Sequence, residues 1–100
     1  MPENPLNTML KVDPKLVDHM RGADDWAFAD GALPKKTKVL IAIAYDAAHG
    51  AVNGVRSLTQ DAIKAGATKE EIGEALRVAY VLSGIGSVYV ASQGLKDLFP

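Results

Sequence analysis

Asp46 and His49 stand three residues apart near the end of the apolar stretch that begins at Val39. On a helix that spacing puts a carboxylate and an imidazole on one face. A carboxylate that orients an imidazole is a recurring general-base arrangement, since it fixes the tautomer and supports the charged ring. The same residues also admit a reading without chemistry: a protonated His49 complements the dipole at a helix end, and Asp46 pairs with a nearby Lys or Arg. Gly50-Ala51-Val52-Asn53-Gly54 follows, with Arg56 just beyond. The free N–H groups of a helix starting near Asn53, together with the Arg56 guanidinium, suit a substrate carboxylate. The plain alternative is a helix–helix connection with Arg56 on the solvated face. The expected site is therefore His49 and Asp46 as catalytic pair, with Arg56, Asn53 and Tyr45 binding the substrate.

The remaining polar groups point to packing. Tyr45, Tyr80 and Tyr89 could offer hydroxyls to a pocket, but tyrosines on apolar helix faces more often lie in the core with one hydrogen-bonded tip. Trp26 and Phe28 read as packing anchors, Glu74 and Arg77 as a surface ion pair, and His19 as exposed. The chain has no cysteine, which removes thiol nucleophiles, disulfides and cysteine-ligated metal. His19 and His49 with scattered carboxylates give no recognisable ligand spacing, so neither metal nor cofactor is expected. Gly84-Ile85-Gly86-Ser87 lacks the preceding strand and the Lys of a phosphate loop.

Charge and length narrow the class further. Lys and Arg number 11 against 12 Asp and Glu, a net charge of −1, which leaves no electrostatic footprint for nucleic acid. The start, Met1-Pro2-Glu3-Asn4-Pro5, has no basic patch followed by an apolar core, so a cytoplasmic location is expected. The longest apolar run contains Asp46 and falls far short of the ~20 residues that span a bilayer. With 100 residues, 48% of them hydrophobic, the chain is one domain. A monomer of this size buries only about two-thirds of its surface, so part of the apolar surface is expected between subunits of a homo-oligomer.

The elements that must position these residues are helices. The first dozen residues read as an irregular N-terminal arm. Asp13-Pro14 starts a helix, with Leu16, Val17 and Met20 on its apolar face and an end near Gly22. Asp24 to Phe28 reads as a second short helix or turn closed by Asp30-Gly31. Pro34 opens a central helix, apolar on nearly all sides from Val39 to Tyr45. Val55, Leu58, Ala62 and Ala65 mark one face of the next, which Gly66 ends. Thr68-Lys69-Glu70-Glu71 is a capping box, followed by Ile72, Ala75, Leu76, Ala79 and Tyr80. Ser83 to Ser87 breaks the chain before a last helix capped by Ser87. No run alternates as a strand does, so the fold is all-α with five or six helices.

Gly31-Ala32-Leu33-Pro34-Lys35-Lys36-Thr37-Lys38-Val39-Leu40-Ile41-Ala42-Ile43-Ala44, followed by Ala65-Gly66-Ala67-Thr68-Lys69-Glu70-Glu71-Ile72, resembles the carboxymuconolactone decarboxylase family and its AhpD-like alkylhydroperoxidase relatives. The likeness runs without a gap from about Leu33 to Ala91. It implies a compact AhpD-like bundle, assembled as a trimer or hexamer, with active sites near helix ends and subunit contacts. Family peroxidases carry a Cys-x-x-Cys pair, a His four residues after the second Cys and a Glu on the preceding helix. Counted back from Gly66, these positions fall on Ala51, Gly54, Leu58 and Val39, and all four side chains differ. The decarboxylase branch lacks the cysteines but keeps the His, here Leu58. Thiol peroxidase activity is therefore not expected. The resemblance and the residues together suggest a cofactor-free acid/base enzyme acting on a small organic acid or lactone. The alternative is a catalytically degenerate member acting as a small-molecule-binding or assembly subunit.

Overall fold

Capping chemistry and apolar periodicity divide the chain into six helices in a computed structural model that describes residues 4–99. They are α1 (Leu6–Val12), α2 (Pro14–Phe28), α3 (Lys35–Ala48), α4 (Val52–Lys64), α5 (Lys69–Ser83) and α6 (Gly86–Leu95). The described residues contain no strand. The capping box at α5 forms in both directions: Glu71 N–H donates to Thr68 Oγ1 at 3.1 Å, and Thr68 N–H donates to Glu71 Oε1 at 2.9 Å. Gly66 ends the α4 segment with φ +93°, a conformation that costs an L side chain a Cβ clash.

The core lies where α3 meets α4, α5 and α6. Val39, Ile43 and Ala47 of α3 pack with Val55, Ala62, Ile72 and Ala91. Phe28, Leu40, Leu58 and Leu76 close the edges of that cluster. Gly94 on α6 makes the α4–α6 crossing tight, because a Cβ there would come within 2.7 Å of Val55 Cγ1 and 2.9 Å of the Val52 carbonyl oxygen. Thr59 sits fully buried on the inner face of α4, and its Oγ1 has no partner among the described residues.

Several local expectations need correction. Residues Leu6–Val12 of the expected irregular arm are helical, with Asn4 Oδ1 accepting from Leu6 N–H at 2.9 Å; Met1 to Glu3 lie outside the described residues. The two short segments expected on either side of Gly22 are one continuous helix, since a single Gly costs an exposed helix only about 1 kcal/mol. Ser87 lies inside the first turn of α6 and donates to the Gly84 carbonyl at 2.8 Å, while Ile85 takes the cap position. The three tyrosines and Trp26 are not core residues: Trp26 is 83% exposed, and Tyr45, Tyr80 and Tyr89 also face outward. Glu74 and Arg77 form no ion pair. The pairs among the described residues are Lys36–Glu71 at 3.0 Å and Arg56–Asp97 at 3.9 Å.

Candidate functional site

The last turn of α3 sets the geometry of the expected catalytic residues. His49 takes the C-terminal cap of α3, where its N–H reaches the carbonyls of Tyr45 and Asp46. Its ring folds back on the same turn. Nδ1 lies 2.8 Å from the Tyr45 carbonyl oxygen, and the imidazole stacks on the Tyr45 ring with centroids 4.0 Å apart and planes 20° off parallel. Facing a carbonyl, Nδ1 carries the hydrogen and donates, which leaves Nε2 as the ring nitrogen turned to solvent in this exposed residue. The group that orients His49 is therefore the Tyr45 backbone, not the Asp46 carboxylate.

Asp46 turns instead toward the start of α4. Its carboxylate rests against Gly54, filling the space that a Cβ would occupy; Asp46 Cγ would lie 2.9 Å from such an atom. Its own carbonyl accepts from Ala51 N–H at 2.9 Å and so ties the α3–α4 turn. Asn53 is exposed in the first turn of α4, a helix start with no side-chain cap. Arg56 pairs at 3.9 Å with Asp97, beyond the end of α6. Tyr45 and His49 are thus brought together, Asp46 is joined to Gly54, and Arg56 is drawn elsewhere. Tyr45 and Asp46 do share an open cleft of about 350 Å³ with Lys38, Ile41 and Phe28; His49 is not in its lining.

A larger cleft, about 490 Å³, opens between the end of α2, the start of α3 and the middle of α4. Its floor is apolar, made by Phe28, Val39 and Leu58, and its rim carries Asp24, Asp25, Asp30, Asp61 and Lys35. Two of the floor residues, Val39 and Leu58, are those that the family resemblance aligns with its Glu and His. Asp30 is held in place by accepting from Lys35 N–H at 2.7 Å, which caps α3 from outside. Lys38 fastens the same junction by donating to the Ala29 carbonyl at 2.6 Å. Sequence reasoning missed this rim. Asp30 five residues ahead of a helix start was the only local signal, and Asp61 comes from a separate helix. Among the described residues no three His, Asp or Glu side chains stand close enough to hold a metal ion.

Comparison with known proteins identifies the family. Residues 14–97 match the model of the Carboxymuconolactone decarboxylase family. No curated protein matches the chain. Among solved structures, the apo form of a carboxymuconolactone decarboxylase family protein from Legionella pneumophila superposes with a TM-score of 0.84 at 34% identity, covering 91% of this chain and 81% of that one. The helical architecture, the capping-box boundary and these matches agree: the chain belongs to the carboxymuconolactone decarboxylase family.

Proposed function

We propose that this chain is a non-thiol member of the family that binds a small molecule in the α2–α3–α4 cleft and works as an assembling subunit. The observation that carries this reading is the cleft's lining: Val39 and Leu58 form its floor where the resemblance places a Glu and a His. A cavity of this size suits a small organic ligand; no imidazole lines it, and the carboxylates that do are gathered with Lys35 rather than at Val39 and Leu58. Four carboxylates against one lysine at the rim disfavour an anionic ligand and favour a neutral lactone or an amine.

The test is a thermal-shift panel of lactones, amines and small carboxylates, run beside a carbon dioxide release assay. A rise in Tm with a lactone or amine, lost in Leu58→Trp and unaccompanied by turnover, supports the reading. Turnover of any member of the panel overturns it. The acid/base reading keeps one favourable observation, the free Nε2 of His49 with its tautomer set by the Tyr45 carbonyl. If it holds, His49→Ala abolishes turnover while the helical circular dichroism is unchanged.

A further inference from the structure

Asn53-Gly54, in the first turn of α4, carries a chemistry of its own. An asparagine side chain can be attacked by the main-chain nitrogen of the next residue, closing a five-membered imide. The attack is easiest when that residue is Gly, whose missing Cβ leaves the nitrogen open and the backbone free to turn. Asn53 is followed by Gly, whereas Asn4 precedes Pro5 and Asn7 precedes Thr8. The fold leaves this pair unprotected. Asn53 is exposed, and α4 starts with no side-chain cap. Val55 N–H donates to the Ala51 carbonyl at 2.9 Å, but neither the Gly54 N–H nor the Asn53 side-chain amide has a partner among the described residues. A first turn held so lightly opens at low cost, which lets Asn53 leave the helical backbone angle and close the ring.

Asp30-Gly31 provides the contrast within the same chain, since an aspartate before Gly can form the same imide. There Asp30 Oδ1 accepts from Lys35 N–H at 2.7 Å, and Gly31 N–H donates to the Leu33 carbonyl at 3.1 Å. Both reacting groups are engaged at residues 30 and 31, and both are open at residues 53 and 54.

We propose that Asn53 is a self-modification site, converting to aspartate and isoaspartate without an enzyme. The Gly54 nitrogen gives its proton to hydroxide and attacks Asn53 Cγ. The bond from Cγ to the side-chain nitrogen breaks, and that nitrogen leaves as ammonia with a proton from water. Water then opens the imide. Opening at Cγ restores the main chain and leaves an aspartate; opening at the main-chain carbonyl carbon leaves the chain running through Cβ and Cγ. The sum is one water taken up, one ammonia released and one negative charge gained. The aspartate suits a helix N-terminus. The isoaspartate lengthens the main chain by one carbon between Val52 and Gly54, where α4 crosses α6 tightly: a Cβ on Gly94 would come within 2.9 Å of the Val52 carbonyl oxygen and 2.7 Å of Val55 Cγ1.

The test incubates the full chain in mildly alkaline buffer, folded and in urea, and follows its tryptic peptides by mass and by methyl transfer from an isoaspartyl methyltransferase. In the folded chain peptide 39–56 should gain one dalton and accept methyl groups, while peptide 22–35, which holds Asp30-Gly31, should stay unmodified. Gly54→Ala should slow the conversion by about tenfold or more, because its methyl group shields the nitrogen. Asn53→Gln should abolish it. The isoaspartate form, separated by ion exchange, should melt below Asn53→Asp. A folded chain that keeps Asn53 intact while the unfolded chain converts overturns the proposal. Isoaspartate at Asp30 to the same extent overturns the protection assigned to its hydrogen bonds, and equal melting of the two products overturns the effect on the α4–α6 crossing. Leu58→Trp, which blocks the cleft, should leave the conversion unchanged, so this inference and ligand binding fail separately.

Discussion

Helices α3 to α6 and the leading pair α1 and α2 are built from similar residues but bury them very differently. Each of α3, α4 and α6 contributes three buried residues and α5 two, whereas α2 buries only Val17 and α1 none. Val12 of α1 and Trp26 of α2 are 73% and 83% exposed. Apolar content alone therefore does not make a core; the residues must recur on the side that meets another helix. In α3 they do, at Val39, Ile43 and Ala47. In α2 the run is diluted by Asp18, His19, Arg21, Asp24 and Asp25; Phe28 is its residue packed on the α3 cluster, and the buried Val17 lies outside that cluster.

The contrast predicts its largest effect at Ile43, which is fully buried at the centre of the α3 cluster. Ile43→Ala should cost about 2–5 kcal/mol in urea unfolding, from lost transfer energy and the cavity left behind. Trp26→Ser in α2 should stay within about 0.5 kcal/mol, as surface changes do. Equal losses from the two would break the comparison.

A sharper form of it uses two glycines that both lie close to neighbours. At Gly94 a Cβ meets Val55 and the Val52 carbonyl, and backbone cannot yield cheaply. Gly94→Ala should cost roughly 1–3 kcal/mol by overpacking the α4–α6 crossing. At Gly54 the obstacle is the Asp46 carboxylate, the end of a side chain that can rotate away. Gly54→Ala should therefore change stability by less than about 1 kcal/mol, with the gain in helix propensity offsetting the displaced carboxylate. Thermal melts of the two variants decide the matter; a costly Gly54→Ala would show that Asp46 is fixed where it stands.

How far the sequence could be read follows from the same distinction between local and distant causes. Gly66 and the Thr68–Glu71 box were legible because a positive φ and a four-residue reciprocal bond are set within one turn of chain. The Asp46–His49 pair was legible as a spacing but not as a bond. The Tyr45 carbonyl competes for the same ring nitrogen, and Gly54, on the next helix, leaves room for the carboxylate to turn away. The outward tyrosines were misread because an apolar face looks the same in sequence whether its own subunit covers it or not. The acidic rim was illegible, since Asp24, Asp30 and Asp61 converge only when α2, α3 and α4 are packed.

Caps rank below core packing in this comparison. Thr68→Ala removes the acceptor for Glu71 N–H and should cost about 1 kcal/mol. Glu71→Gln tests the other half of the box, and its smaller effect should be visible mainly in the dependence on pH. The Thr68 N–H bond, then the Lys36 ammonium 3.0 Å away, hold the Glu71 carboxyl below the ordinary glutamate value. A carboxyl with a lowered native pKa stabilises the fold above its unfolded pKa of about 4.3, and that contribution fades as pH falls through the native value. The wild-type chain should therefore lose slightly more stability than Glu71→Gln between neutral pH and the acid side of that window. Near pH 7 the difference should shrink as salt is added, because the Lys36 pair is partly exposed and screened. Urea midpoints that run parallel for the two proteins down through that window would show that Lys36 and the Thr68 N–H hold Glu71 in place without favouring its charged form.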